Sequence, residues 1–133
     1  MKALPLLAAL LLAAASPLNA ADAHDHAHAH APLHGGVVSE VKDIDYELVA
    51  GPEGKGPVQL HLRDHGKPLD VAGGTARLTL LVGSEKKELD LKAAGQRFEC
   101  GECAPGKIPP GAKAVARVAL PGKPAVTVRF VLK

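Results

Sequence analysis

Apolar and polar residues alternate along most of the chain after residue 36. An alternation of period two, with one apolar face, is typical of half-buried β-strands. Weaker examples at residues 37–41 and 97–100 predict two further strands. The clear examples lie at residues 43–48, 58–63, 77–82, 88–92, 113–120 and 126–132.

Turn-forming residues separate these stretches and divide the chain into short elements. Glycine and proline punctuate the sequence at 51–52, 66–68, 73–74 and 109–111. Pro121 and Gly122 suit the two central positions of a type II turn, so the last two strands should form a hairpin. Residues 84–94 have the length of a helix, but Leu89 and Leu91 flank Asp90 and favour a strand. Seven or eight short strands predict an all-β domain, a small antiparallel β-sandwich or barrel over residues 37–133.

The first twenty residues have the pattern of a signal peptide. Lys2 is followed by an apolar run at residues 3–15, which is too short to span a bilayer. A break at residues 16–17 precedes a cleavage site after Ala20, with Ala21 and Ala23 as alternatives. We therefore expect an exported, soluble protein that is not inserted in a membrane after cleavage and that occupies an oxidising compartment.

Residues 21–36 contain most of the histidine in the chain and nothing that can form a core. We expect a disordered tail here, because a segment with so few apolar side chains cannot pack. Neutral imidazole is the commonest metal ligand among side chains, and Asp25 adds a carboxylate. The tract predicts a metal-binding tail, although a polar linker that happens to use histidine would look the same. Five of the seven histidines lie here: His24, His26, His28, His30 and His34.

The donor set indicates which ions such a tail would bind. Met1 is the only methionine, so soft thioether ligands for Cu(I) are lacking in the mature chain. Imidazole favours the borderline divalent ions Cu(II), Zn(II), Ni(II) or Co(II), among which the sequence does not choose. The formal net charge of +2 and the total of three aromatic residues give no indication of nucleic acid binding.

A second group of potential ligands follows the strand at residues 58–63. His61 should point outward from this strand, and Asp64 and His65 should lie in the next turn. These side chains could form a second metal site or receive an ion from the tail. The simpler alternative is that Asp64 stabilises the turn and both histidines are solvated.

Cys100 and Cys103 form a C-x-x-C pair with three alternative roles. They could close a structural disulfide, ligate a metal as thiolates, or act as a redox pair. A redox role usually requires a βαβ context and a helix N-terminus, and neither is visible. A four-cysteine zinc site is excluded because the chain has only two cysteines.

Three short motifs resemble a known family. They are His34-Gly35-Gly36-Val37-Val38, Tyr46-Glu47-Leu48-Val49 and the run at residues 63–69, RDHGKPL. In this order, and with the ending at residues 120–130, they resemble the small periplasmic domain that accompanies heavy-metal efflux systems of the resistance-nodulation-division type. The resemblance implies a β-rich periplasmic domain, His34 as a ligand, and an efflux membrane-fusion (adaptor) protein as partner. The cysteine pair is not part of it.

These observations together predict a periplasmic accessory protein that captures or delivers a divalent heavy-metal ion. No nucleophile with its base, paired-carboxylate site or phosphate loop is evident, so an enzyme is not expected. One alternative is a non-catalytic module that docks on an efflux adaptor, with incidental histidines. Another is a thiol-redox protein that uses Cys100 and Cys103.

Overall fold

Nine β-strands and no helix form the part of the chain that the computed structural model describes, residues 30–51, 56–101, 103 and 105–133. The predicted all-β class is confirmed. The predicted signal peptide and His24, His26 and His28 lie outside the described residues. The strands are β1 (Val37–Val41), β2 (Ile44–Val49), β3 (Val58–Asp64), β4 (Lys67–Pro68), β5 (Thr75–Val82), β6 (Glu85–Ala94), β7 (Arg97–Cys100), β8 (Lys113–Ala119) and β9 (Val126–Val131).

The strands form one antiparallel sheet in the order β1-β2-β3-β7-β6-β5-β8-β9, with the short β4 paired to β3. The two end strands, β1 and β9, lie beside each other without a hydrogen-bonded ladder. The sheet is therefore an antiparallel barrel that is nearly closed. Curling the sheet in this way encloses one apolar face, as the alternation along the strands requires.

The core is built from the alternate positions that the period-two pattern predicts. In β5, Ala76, Leu78 and Leu80 point inward, whereas Arg77 and Leu81 are exposed. The alternation is interrupted in β2 and β3, where the outward-facing Glu47 and Arg63 are also buried. The largest fully buried apolar side chains are Tyr46, Leu48, Val58, Leu60, Leu62, Val71, Leu78, Leu80, Phe98, Val118 and Val128.

Two tight turns fix the registers of the strand pairs β1–β2 and β8–β9. Lys42 and Asp43 connect β1 to β2, and both have positive φ, 52° and 65°. Positive φ at both central residues is typical of a type I′ hairpin turn. Between β8 and β9, Gly122 has φ of 72°, and the Lys123 amide donates to the Leu120 carbonyl at 3.1 Å. This geometry confirms the type II turn predicted at Pro121-Gly122.

Residues 85–94 form strand β6, and none of residues 84–94 is helical, as the alternation around Asp90 predicts. The weaker predictions at 37–41 and 97–100 also correspond to strands, β1 and β7. Over the described ranges, no helix has the length and apolar character needed to cross a membrane.

The inward face of β5 should contribute far more stability than its outward face. Leu78 is fully buried and Leu81 is 39% exposed on the same strand. We expect Leu78→Ala to lower the free energy of unfolding by about 2–5 kcal/mol, since it leaves a cavity. Leu81→Ala should cost less than about 1 kcal/mol. Urea unfolding of both variants measures the difference, and equal losses would contradict the assigned strand orientation.

Candidate metal centre and the strap beside it

Residues 30–36, here called the strap, lie against the outer face of the first three strands. Side chains of β1, β2 and β3 each contact this segment, either at its backbone or at its histidines. The predicted tail over residues 21–36 therefore includes a portion that is bound to the sheet. Of the histidines predicted as metal ligands in that tail, the strap holds His30 and His34.

Glu47 of β2 is the main anchor of the strap. Its carboxylate is fully buried on the outer side of the strand and accepts hydrogen bonds from the backbone N–H groups of Leu33 (3.1 Å), His34 (2.7 Å) and Gly36 (3.1 Å). The His34 ring Nδ1 lies 2.9 Å from the same carboxylate. Four polar contacts thus compensate a carboxylate that the strap itself removes from water.

The protonation of Glu47 reflects this set of donors. Burial alone would raise the pKa of its carboxyl. The hydrogen bonds from the His34 ring and from the backbone of His34, Gly36 and Leu33 outweigh burial and lower the pKa to about 2. The side chain is therefore charged over the physiological range, and the strap is held by a buried anion.

Gly36 allows the strap to approach the sheet this closely. A Cβ atom at this position would lie 2.3 Å from the Leu48 carbonyl oxygen, well inside contact distance. A glycine is required here for space rather than for backbone conformation. The His34-Gly35-Gly36 motif therefore serves the docking of the strap on β2.

His30, at the start of the strap, lies between two carboxylates. Its Nδ1 is 2.5 Å from Asp45 Oδ1 and its Nε2 is 2.8 Å from Glu40 Oε2. One donor atom from each of these three residues lies within 4.8 Å of the others. No other group of three histidine, cysteine or acidic donors is this close among the residues that the structure describes. We call His30, Glu40 and Asp45 the candidate metal centre.

The hairpin register places two like charges against each other at this point. Glu40 and Asp45 are directly opposite each other across β1 and β2. Like charges in this arrangement destabilise a sheet. In addition, Asp45 Oδ1 is buried and has no hydrogen-bond partner of acceptable geometry among the described residues, despite its proximity to His30. The centre therefore brings together two opposed carboxylates, and Asp45 Oδ1 lacks a well-oriented hydrogen bond.

Arg63 of β3 lies beside the centre and is almost fully buried. Its Nη2 donates to the Ala31 carbonyl of the strap at 3.2 Å and lies 3.8 Å from Asp45 Oδ2. The guanidinium partly balances Asp45 and fixes the backbone next to His30. Because it approaches Oδ2, it leaves Oδ1 for another partner.

His34 and His61 are stacked, with ring centroids 3.7 Å apart and an angle of 8° between the planes. His61 of β3 lies opposite Glu47 of β2 and points outward, as predicted. Its Nε2 is 3.1 Å from Gln59 Oε1. Burial, followed by the neighbouring His34, lowers the pKa of His61. An imidazole nitrogen directs its lone pair in the plane of the ring. Two parallel rings therefore do not point at a common ion, although ligation by either ring stays a prediction.

His65 lies in the predicted turn after β3, largely exposed, with its Nδ1 2.5 Å from Asp64 Oδ1. Its role as a ligand also stays a prediction. Cys100, at the end of β7, is joined to Cys103 in a disulfide, one of the three alternatives for this pair. In this oxidised state neither sulfur is a thiolate ligand.

Sequence reasoning missed Glu40, Asp45 and Glu47. A signal for the first two exists in retrospect, because they are placed symmetrically about the two-residue turn Lys42-Asp43 and must face each other. Glu47 fits the polar positions of an alternating strand and resembles a solvated residue. Nothing in the local pattern indicates that the strap covers it.

Comparison with known proteins adds no relative to this description. The chain matches no protein-family model, no curated protein and no solved structure.

The charge of Glu47 should make the fold sensitive to acid. The pKa of the Glu47 carboxyl is about 2 in the folded chain, whereas its ordinary value is 4.5. Stability is therefore fully present above pH 4.5 and is lost as the pH falls toward 2, by up to about 3 kcal/mol. Glu47→Gln should be destabilised at neutral pH and should lose this part of the pH dependence. Urea unfolding at pH 7 and pH 3 tests this, and an unchanged acid response in the variant would contradict it.

Gly36 offers a second test of the strap. We expect Gly36→Ala to displace the strap from Leu48 and to lower the free energy of unfolding by about 1–3 kcal/mol. Gly101→Ala is the matched control, since a Cβ at Gly101 meets nothing within 4 Å. Hydrogen exchange of the strap amides is the direct readout. Equal protection in Gly36→Ala and the parent chain would show that the close approach is not required.

Proposed function

We propose that this chain is an exported accessory protein that binds a divalent transition-metal ion at His30, Glu40 and Asp45. The observation that carries the proposal is the convergence of one imidazole and two carboxylates within 4.8 Å, one of them with an unsatisfied buried oxygen. A divalent cation would neutralise the two opposed carboxylates and give Asp45 Oδ1 a partner.

The donor set fits such an ion chemically. A zinc site with three protein ligands keeps its fourth position open, and nitrogen and oxygen ligands lie about 2.0–2.2 Å from the metal. The three donor atoms lie within 4.8 Å of one another, which is wider than bonds of that length require. The side chains would therefore have to move closer together around the ion. His30 now faces a carboxylate with each ring nitrogen, and the ring must turn to present one nitrogen to the ion.

The surroundings support a site that is held on a rigid scaffold. Glu40 and Asp45 lie on paired strands, and His30 is connected to them by the strap that Glu47 and Arg63 hold. Side chains of the centre are between 14% and 39% exposed, so an ion can enter without unfolding the barrel. His24, His26 and His28 would add further imidazole ligands for capture before this centre.

The wider setting of the proposal rests on the sequence alone. The signal-peptide pattern supports export to the periplasm, and the three short motifs support an association with heavy-metal efflux. Within that setting the protein would capture an ion and present it to an efflux adaptor. No catalytic role is part of the proposal.

Calorimetric titration with Zn(II) and Co(II) tests the metal centre. The chain should be compared with a variant lacking residues 21–29, which retains His30. We expect this variant to bind one equivalent, and Glu40→Gln within it to bind at least about 10-fold more weakly, since even the loss of a residue that only orients a ligand costs that much. Affinity should fall between pH 7.5 and 5.5, because imidazole ligates only when it is deprotonated.

His65→Ala is the matched control, because it removes another histidine that lies against a carboxylate. It should leave the affinity of the shortened chain unchanged. Metal should also raise the melting temperature, since the assembled centre exists only in the folded state. Failure of the shortened chain to bind either ion, or binding that Glu40→Gln does not weaken, would refute the assignment.

A further inference from the structure

The small net charge of the chain conceals a strong separation of charge along it. Residues 103–133 contain no aspartate or glutamate and six basic residues. Because the formal net charge is +2 overall, residues 1–102 carry +2 − 6 = −4. The basic residues are Lys107, Lys113, Arg117, Lys123, Arg129 and Lys133.

The strand registers bring part of this charge together on the outer surface of β5, β8 and β9. Arg77 of β5 is directly opposite Arg117 of β8. Arg129 of β9 is opposite Val115, and so lies diagonally between Arg117 and Lys113. All four basic side chains are exposed. We call this surface, with the apolar residues described below, the basic face.

Most of these cations lack an internal partner. Arg77 is paired with Asp90 of β6 at 2.9 Å. Within the described parts of the chain, no carboxylate lies within 4 Å of Lys113, Arg117 or Arg129. Two arginines opposite each other repel, so this arrangement works against folding unless it serves another purpose.

The same face carries exposed aliphatic side chains. Leu81, Lys113 and Val131 form one row across β5, β8 and β9, with Lys113 in the centre. Leu81 is 39% and Val131 is 59% exposed, and only Leu33 is a comparably exposed large apolar residue in the described chain. Single exposed aliphatic residues are common on protein surfaces, but beside three unpaired cations these two could supply the apolar contact of an interface with a charged rim.

We propose that the basic face docks an acidic surface of another protein, one that presents carboxylates around an apolar contact. This inference goes beyond metal binding and does not depend on it. The three unpaired cations would meet the carboxylates, and the row at Leu81 and Val131 would meet the apolar part. Complementary charge of this kind favours specificity and rapid association.

Other anionic partners fit this face less well. Tyr46, Phe98 and Phe130 are buried, so no aromatic side chain is available to stack on bases or to anchor at a membrane interface. A second copy of this chain also carries exposed carboxylates, among them Asp43, Asp70 and Glu85, so self-association is tested as an alternative occupant.

Fluorescence anisotropy with labelled peptides tests the proposal on the full chain. The probe is a peptide of alternating glutamate and leucine, compared with a glutamate–serine peptide and a lysine–leucine peptide. We expect the first to bind most tightly and to weaken about tenfold or more between roughly 50 and 500 mM salt. The lysine peptide should not bind.

Variants then locate the contact. Arg117→Glu with Arg129→Glu should weaken binding about tenfold or more, and Leu81→Ser with Val131→Ser about threefold or more. Lys67→Glu with Lys107→Glu is the matched control, since both lysines are exposed and lie outside the three strands. Circular dichroism confirms that each variant folds.

Several results would overturn the proposal. These are failure of the acidic peptide to bind, an equal loss in the Lys67/Lys107 control, and tighter binding to phosphatidylglycerol vesicles or duplex DNA than to the peptide. Self-association of the chain that the Arg117/Arg129 substitutions abolish would assign the face to a second copy instead. Equal binding of the glutamate–serine peptide would refute the role of the apolar row.

Discussion

The buried carboxylate of Glu47 is the constraint on which the outer site depends. A charge without exposure to water must be compensated by donors, and the strap supplies them from its backbone and from His34. The dependence is mutual, because the strap has no regular structure of its own to hold it against the sheet. Gly36 permits the approach, and His30 reaches Glu40 and Asp45 only because the residues after it are fixed.

Much of the barrel could be predicted from local patterns, whereas the site could not. The period-two alternation predicts the strands because each strand buries one face, and Pro121-Gly122 predicts a turn through its own backbone preferences. Glu47 obeys the same alternation as a solvated residue would. Its burial depends on a segment eleven or more positions away that has no periodicity, and such a contact is a property of the tertiary structure.

The two histidine groups of the proposed metal protein differ in physical character. The predicted tail at His24, His26 and His28 offers mainly imidazole, with one carboxylate from Asp25, and imidazole suits Cu(II) and Ni(II) as well as Zn(II). The centre at His30 offers one imidazole and two carboxylates on a register that the Lys42-Asp43 turn fixes. Harder oxygen donors and a constrained spacing favour Zn(II) or Co(II) over Cu(II), relative to the tail. The ion that the protein retains would then depend on whether the tail or the centre finally holds it.

Two pairs of like charges face each other across strands of this sheet, and their surroundings differ. Glu40 and Asp45 have the His30 ring between them and Arg63 at one side, so their repulsion is relieved within the chain. Arg77 and Arg117 have a single acidic partner among the residues with described positions, Asp90, which contacts Arg77. Relief for Arg117 must come from water and salt, or from an anion that another molecule supplies. Repulsion between like charges is thus relieved by the strap at one surface, whereas at the other surface it favours the binding of an external anion.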